Sequence, residues 1–374
     1  MNLVIEEQLY EDSEGATELD DPIEVEDTTE YKFDLTFYGA DYPVDGLVSR
    51  LKKNDIIIPS FDPSNDLAFE VEAFQRKFIW TKLQCDRFVE SLLLGLPVPG
   101  IFLVQQSDKR LLVLDGQQRL LTLSAFYEGI LEKREFSLEG VQAQFHGKTY
   151  KTLDEDQRRT LDDAIIHATV IKKTQESQDL SSIYTLFERL NSGGTRLSPH
   201  EIRVALAPGK LMQLIRRLNE TKAWREAFGK PSKNLKDHEL ILRFIALKFS
   251  PDEYASPMKD FLTKYAQHNQ NLNKENEQEI ESSFVDSINL ISEAVGPKPF
   301  RLTNALNAAV FDSVMIGVAR RLKTGKDVDR EKVRRAYEEL LKNNEFIAAV
   351  SKATAREDQV VQRIRLATHA FGGV

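Results

Sequence analysis

The stretch Leu111-Leu-Val-Leu-Asp115-Gly-Gln-Gln-Arg119 runs four aliphatic residues straight into a carboxylate, a glycine, two carboxamides and a guanidinium. Four aliphatics closed by Asp-Gly read as a buried strand that stops abruptly. Behind the polar cluster, Leu120, Leu121, Leu123, Ala125, Phe126 and Tyr127 suit a helix of about three turns, with Gly129 as its C-terminal cap. Asp115 to Arg119 therefore sits at a strand-to-helix corner. A helix N-terminus has unpaired backbone N–H groups and a partial positive charge, Gly116 lets the chain turn tightly, and Gln117, Gln118 and Arg119 add donors. That combination suits a phosphate. The same residues admit a structural reading, in which Asp115 caps the helix and Arg119 pairs with a carboxylate on the same sheet.

The elements around this corner follow from periodicity. Tyr31 to Tyr38 reads as a short strand, Val44 to Lys53 as a helix with Leu47, Val48 and Leu51 on one face, and Ile56-Ile-Ile-Pro59 as a buried strand ended by proline. Ser60 to Ala68 has loop composition. Thr81-Lys-Leu-Gln84 fits a capping box, and Phe88, Val89, Leu92 and Leu93 then recur at helical spacing until Gly95. Ile101 to Val104 and Leu111 to Leu114, joined by a polar loop, predict a hairpin that delivers Asp115 to the end of a sheet. Asp154 to Asp163 predicts a helix and Ala164 to Lys172 a strand. Ile183, Leu186, Phe187 and Leu190 follow amphipathic helical spacing that Asn191-Ser-Gly-Gly interrupts. The chain restarts as helix at Ser198-Pro199-His200-Glu201, with Ser as N-cap, Pro at the first helical position and Glu three residues on. A glycine-rich break between helices can turn its N–H groups inward as an anion nest, or can simply permit the turn.

Taken in order, three stretches carry a resemblance. They are Phe74-Gln75-Arg76-(x)3-Trp80, the Asp115-Gly116-Gln117-Gln118-Arg119 corner, and Leu190-Asn191-x-Gly193-Gly194-(x)6-Glu201-x-Arg203. The ordered set, over roughly residues 40 to 210, resembles the N-terminal domain family of GmrSD-type restriction systems, which is similar to the ParB and sulfiredoxin fold. The resemblance implies a small nucleotide-binding core that takes an NTP with Mg²⁺ and hydrolyses it. On this expectation Arg119 and Arg76, with Gln75 beside it, hold phosphates. Gln117 and Gln118 orient phosphate or water, and Asp115 holds Mg²⁺ or the attacking water. Gly116, Asn191, Gly193 and Gly194 complete the cradle, and Glu201 and Arg203 support it. Related systems pair such a domain with a His-dependent HNH nuclease, fused or separate. That module is not recognisable in this sequence, so a separate nuclease subunit and DNA are the expected partners. Nuclease activity is not expected of this chain alone.

Composition bounds the rest. With 374 residues, 41% hydrophobic and 29% charged, the chain can build two ordinary cores. A lone cysteine, Cys85, excludes an internal disulfide framework and a thiolate-cage metal site, and fits a reducing cytoplasm. No apolar run is long enough to span a bilayer and no secretory pattern opens the chain, so a soluble cytoplasmic protein is expected. Histidines 146, 167, 200, 238, 268 and 369 show no metal-ligand spacing, and no Walker-type phosphate loop occurs. The net charge of −9 is unevenly spread: residues 1–30 hold 12 acidic and no basic side chains, leaving 50 basic against 47 acidic in residues 31–374. So acidic a leader reads as disordered, either a solubilising tail or a nucleic-acid mimic that competes for a basic groove.

From Lys210 onward the pattern is helical, with linkers at Ser250-Pro251, Ser256-Pro257 and Gly296-Pro-Lys-Pro299. Two basic runs stand out, Arg320-Arg321-Leu-Lys323-Thr-Gly-Lys326 and Arg330-Glu-Lys332-Val-Arg334-Arg335. Such runs are usually solvated helix faces, though they also suit a phosphate backbone. The expected class is α+β: a leader at 1–30, a small ParB-like mixed sheet with helices at 31–208, and an all-helical domain at 209–374. The expected function is a nucleotide-dependent DNA-sensing subunit of a restriction or phage-defence system. The alternatives are a non-catalytic DNA-binding or regulatory module, and a nuclease with a dispersed active site. The nucleotide base, the DNA feature recognised and the oligomeric state are left open.

Overall fold

The computed structural model describes residues 19–20, 35–59, 80–106, 108–173, 181–190, 198–232, 234–272, 276–325 and 327–374. The chain separates into two compact units, one over Glu30–Leu197 and the other over Ser198–Val374 together with the N-terminal segment. Of that N-terminal segment only Leu19–Asp20 (β1) falls within the described residues. The expected disorder of the acidic leader otherwise lies outside them.

The first unit is built on β2 (Leu35–Pro43), α1 (Val44–Lys52), β3 (Ile56–Ile57), α2 (Lys82–Leu93), β4 (Ile101–Gln105), β5 (Leu111–Asp115), α3 (Gln117–Glu128), the short hairpin β6 (Ile130–Leu131) and β7 (Arg134–Glu135), α4 (Glu155–Asp163), β8 (Ile165–Lys173) and α5 (Ser181–Leu190). Five strands form a mixed sheet in the order β2-β8-β4-β5-β3. The expected hairpin is present: β4 and β5 are antiparallel, with Leu103 opposite Val113 and a register shift between Phe102 and Leu103. β8 lies parallel to β4 and antiparallel to β2, while β3 lies parallel to β5. Thr81 caps α2 in the anticipated box, its hydroxyl accepting from the Gln84 N–H while the Gln84 side chain accepts from the Thr81 N–H. Asp154 caps α4 in the same way through Gln157. Leu120, Leu123 and Phe126 of α3 are fully buried with Val89, Leu103, Val113 and Val170, so helix and sheet share one apolar core.

The second unit is helical: α6 (Pro199–Leu206), α7 (Lys210–Asn219), α8 (Lys222–Phe228), α9 (Lys236–Phe249), α10 (Met258–His268), α11 (Glu277–Val295), α12 (Ala308–Leu322), α13 (Arg330–Leu340), α14 (Asn344–Ser351) and α15 (Glu357–Gly372). One short strand, β9 (Leu306–Asn307), departs from the all-helical expectation and pairs in parallel with β1. Two residues carry no periodicity, and their partner lies almost 300 positions away in sequence. Between helices, Asp312 of α12 is fully buried and takes the guanidinium groups of Arg243 from α9 (2.7 Å) and Arg363 from α15 (3.3 Å). Removing one partner of a buried ion pair typically costs about 3–5 kcal/mol, so this triad fixes the relative register of three helices. Gly317 of α12 makes their close approach possible, since a Cβ there would stand 2.9 Å from the Ala367 backbone.

Two buried imidazoles, His200 of α6 and His238 of α9, lie side by side with ring centroids 6.0 Å apart. Among the described residues, neither ring nitrogen of His200 has a hydrogen-bond partner. Burial first, then His238 and Arg203, hold the His200 imidazole well below its usual range. His238 is lowered to about 4, again chiefly by burial, with Arg225 and Arg216 adding to the effect and Asp237 opposing it. Both rings are therefore neutral in the folded protein yet protonate near pH 6.5 once unfolded. The unfolded chain then binds more protons below pH 6.5, and stability falls as pH falls through that value. The expected loss is about 2 kcal/mol per imidazole at pH 5. Urea titrations at pH 7 and pH 5 should display it, and His200→Phe should remove about half; a pH dependence identical in wild type and variant would contradict the assignment.

Candidate functional site

The corner is built where β5 ends. Gly116 adopts φ +93°, a left-handed conformation that L side chains rarely enter, and turns the chain from β5 into α3. A Cβ at that position would stand 2.3 Å from Ile101 Cγ2, so the glycine is required by space as well as by backbone angle. Among the described residues, no side chain caps α3. Asp115 therefore does not act as the N-cap; it pairs instead with Arg119 one turn on, Arg119 Nη2 donating to Asp115 Oδ2 at 2.8 Å. The structural reading's sheet carboxylate for Arg119 is thus Asp115 itself.

The same Nη2 also donates to the Gly100 carbonyl at 2.9 Å, at the start of β4. The pair is asymmetric in exposure: the Arg119 side chain is 14% exposed and the Asp115 side chain 37%. Among the described residues, Arg119 Nε is buried without a hydrogen-bond partner. A guanidinium nitrogen left dry and unpaired carries a desolvation penalty of about 1–3 kcal/mol that an added acceptor would relieve. Backbone N–H groups of an uncapped helix start, one buried guanidinium with a spare donor and one accessible carboxylate thus meet within a single turn. An anion that carries its own cation complements such a group, the anion facing Arg119 and the cation facing Asp115.

The two glutamines have protein partners. Gln117 Nε2 donates to the Pro59 carbonyl at 3.4 Å, and Gln118 Oε1 accepts from the Trp80 N–H at 3.3 Å. Pro59 and Trp80 are thereby held at the corner. Gln75 and Arg76 lie outside the described residues, as do Asn191, Gly193 and Gly194. Glu201 and Arg203 fall in the helical unit and are engaged there. Glu201 closes the capping box with Ser198 at the start of α6, and Arg203 reaches Glu239 (3.0 Å), Thr263 Oγ1 (3.2 Å) and the Lys259 carbonyl (3.0 Å). Their burial, 3% and 1%, gives both a packing role in that unit. Among the described residues no group of three or more His, Cys, Asp or Glu side chains could hold a metal ion, and no helix is long and apolar enough to cross a membrane.

Sequence reasoning passed over Gly100, Ile101, Pro59 and the Trp80 backbone, which form the walls of the corner. Gly100 had a readable signal, a glycine at the entry to a predicted strand. A Cβ there would meet the His167 carbonyl at 2.7 Å, so β4 and β8 approach too closely for any side chain.

Residues 54–207 match the family model of the GmrSD restriction endonuclease N-terminal domain. That region, which contains the corner, is a GmrSD-type N-terminal domain and ties the chain to restriction systems. No curated protein matches the chain.

Gly116→Ala combines a left-handed φ with a collision against Ile101. The strain and the overpacking together should destabilise the first unit by about 2–4 kcal/mol. Urea denaturation should report this as a lowered midpoint at unchanged slope, whereas Gly129→Ala, with no neighbour within 4 Å of its Cβ, should cost only the backbone part. Equal costs for the two would contradict the close approach at Ile101.

Proposed function

We propose that the Asp115–Arg119 corner binds a nucleoside triphosphate with Mg²⁺, and that the chain is the nucleotide-dependent, DNA-sensing regulatory subunit of a restriction or phage-defence system whose nuclease is a separate subunit. The observation that carries this reading is the half-satisfied Arg119: two acceptors hold Nη2, while buried Nε lacks one, beside an uncapped helix start. A phosphate oxygen supplies the missing acceptor, and the phosphate charge meets the guanidinium and the helix N-terminus together.

Asp115 is the residue available to the cation. Mg²⁺ is commonly bound through one or two carboxylates plus substrate phosphates, and a half-exposed carboxylate at the mouth of the site meets that need. Bound Mg²⁺ would neutralise phosphate charge; Arg119, relieved of Asp115, would then face the phosphates alone. Gln117 and Gln118 act as positioning residues, because they bond to Pro59 and Trp80. In this reading Arg76 brings a second cation and Asn191, Gly193 and Gly194 complete the cradle. Hydrolysis would need a positioned water, a role this reading gives to Asp115 with the glutamines.

A second reading draws on the same Arg119 contacts. With Nη2 already held by Gly100 and Asp115, the pair is also a clasp that fastens α3 to β4, and in that reading the domain needs no nucleotide. Calorimetric titration of NTPs with Mg²⁺ separates the two. The proposal expects binding that weakens tenfold to hundredfold in Arg119→Ala, equivalent to about 1.5–3 kcal/mol for one charge-assisted contact. It also expects Asp115→Asn to lose the Mg²⁺ dependence. Thermal melts of each variant report loss of the clasp separately. Absence of binding by the folded wild type, or equal affinity in wild type and Arg119→Ala, would favour the clasp.

A further inference from the structure

The two basic runs of the helical unit have different fates. In the second run Arg330 pairs with Glu293 at 2.7 Å and Arg334 with Glu338 at 3.1 Å, so two of its four cations are matched. In the first run Arg321 turns inward and donates to the Val374 carbonyl, to Thr324 Oγ1 and to the Asp327 carbonyl. Arg320 and Lys323 stay at the surface end of α12. Arg320 donates to the Thr368 hydroxyl at 2.9 Å, and no ion pair joins it to a carboxylate among the described residues; Lys323 meets Glu279 of α11 at 3.2 Å.

A third cation joins them from another helix. The buried Arg243–Asp312 pair sets the register of α9 against α12, and Arg363–Asp312 with Arg320–Thr368 sets α15 alongside in the same direction. Phe244 of α9 packs against Phe284 of α11 with ring centroids 5.6 Å apart, and Glu279, nearer the start of α11, meets Lys323 of α12 at 3.2 Å, so α9 carries Lys248 towards the end of α12 that holds Arg320 and Lys323. Lys248 is half-buried, and its ammonium stands 5.9 Å from the centre of the Phe249 ring. Burial lowers its affinity for a proton, and Lys323 and Arg320 lower it further, against a smaller opposing effect of Glu279. Three cations therefore crowd one end of the unit with Glu279 as the carboxylate that faces them, an excess of two charges in a chain whose net charge is −9. Cations at helix C-termini do stabilise the helix dipole, but crowding that disfavours a cation's own charge goes beyond that need.

We propose that Lys248, Arg320 and Lys323 form a docking site for the phosphate backbone of duplex DNA on the helical unit. Backbone phosphates recur about every 3.4 Å of helix axis along a strand, which lets neighbouring phosphates relieve the mutual repulsion of several cations at once, as a single small anion does not. The proposal rests on the DNA-sensing reading but uses none of the corner residues.

Fluorescence anisotropy with a labelled 20-base-pair duplex, at several salt concentrations, tests it on the full chain. Each phosphate contact contributes a slope of about −0.9 in log K against log salt. Lys248→Gln/Arg320→Gln/Lys323→Gln should bind at least tenfold more weakly near 50 mM salt and flatten the slope by about 2 to 3, with thermal melts confirming that it is folded. Arg330→Gln/Arg334→Gln, at the matched cations of the second run, should leave both affinity and slope unchanged. Inorganic phosphate at constant ionic strength should not displace the duplex; displacement at millimolar phosphate would assign the cluster to free phosphate and overturn the proposal. An unchanged slope in the triple variant would place DNA elsewhere on the chain and leave the DNA-sensing reading standing. No binding by the wild type would sink both.

Discussion

The corner depends on the approach of Gly116 to Ile101, where the turn out of β5 lies so close to the start of β4 that no side chain fits between them. That proximity decides what Arg119 can reach. Held one turn into α3, its guanidinium lies against the first residues of β4, takes the Gly100 carbonyl, and is left with Asp115 as its carboxylate. Sheet register supports the arrangement from the other side: β4 is hydrogen-bonded to both β5 and β8, and the close contact of Gly100 with β8 leaves the strand no room to shift. A larger residue at either glycine would push β4 away and release the arginine. The chemistry of the site is thus a consequence of sheet packing.

The helical unit is organised around a different constraint, the sharing of one buried carboxylate by two buried guanidiniums. Such a cluster is costly to form in a low-dielectric interior and still more costly to break, so it specifies one register of α9, α12 and α15. Register then dictates surface chemistry. Lys248 of α9 is brought to the end of α12 that carries Arg320 and Lys323, a grouping that its sequence neighbours do not show. The same unit keeps two neutral imidazoles side by side, a further case of polar groups held where burial overrides their solution behaviour.

Much of the fold was legible in the sequence because its signals are local. The Thr81 and Ser198 capping boxes, the hairpin ending in Asp115, the helix closed by Gly129 and the strand after Ala164 all follow from short patterns, and the structure has each. The class, a mixed sheet with helices followed by a helical region, followed from them. What was not legible depends on pairing. The strand expected at Tyr31–Tyr38 is described from Leu35 and runs on to Pro43, because β8 pairs with it along its whole length. The partner of Arg119 could not be read either: the sequence offered a helix cap for Asp115, and only the left-handed turn at Gly116 swings that carboxylate onto the arginine. Glu201 and Arg203 stand close in sequence to the glycine-rich break, and the sequence did not show that they also bond within α6 and to Glu239, Lys259 and Thr263 of the helical unit.

The most direct test of the account is a crystal structure of the full chain with a non-hydrolysable nucleoside triphosphate and Mg²⁺. The account predicts a phosphate oxygen within hydrogen-bond distance of Arg119 Nε, the cation on Asp115, and the Asp115–Arg119 contact opened. A nucleotide bound away from the corner, with Arg119 still held by Asp115 and Gly100, would contradict it.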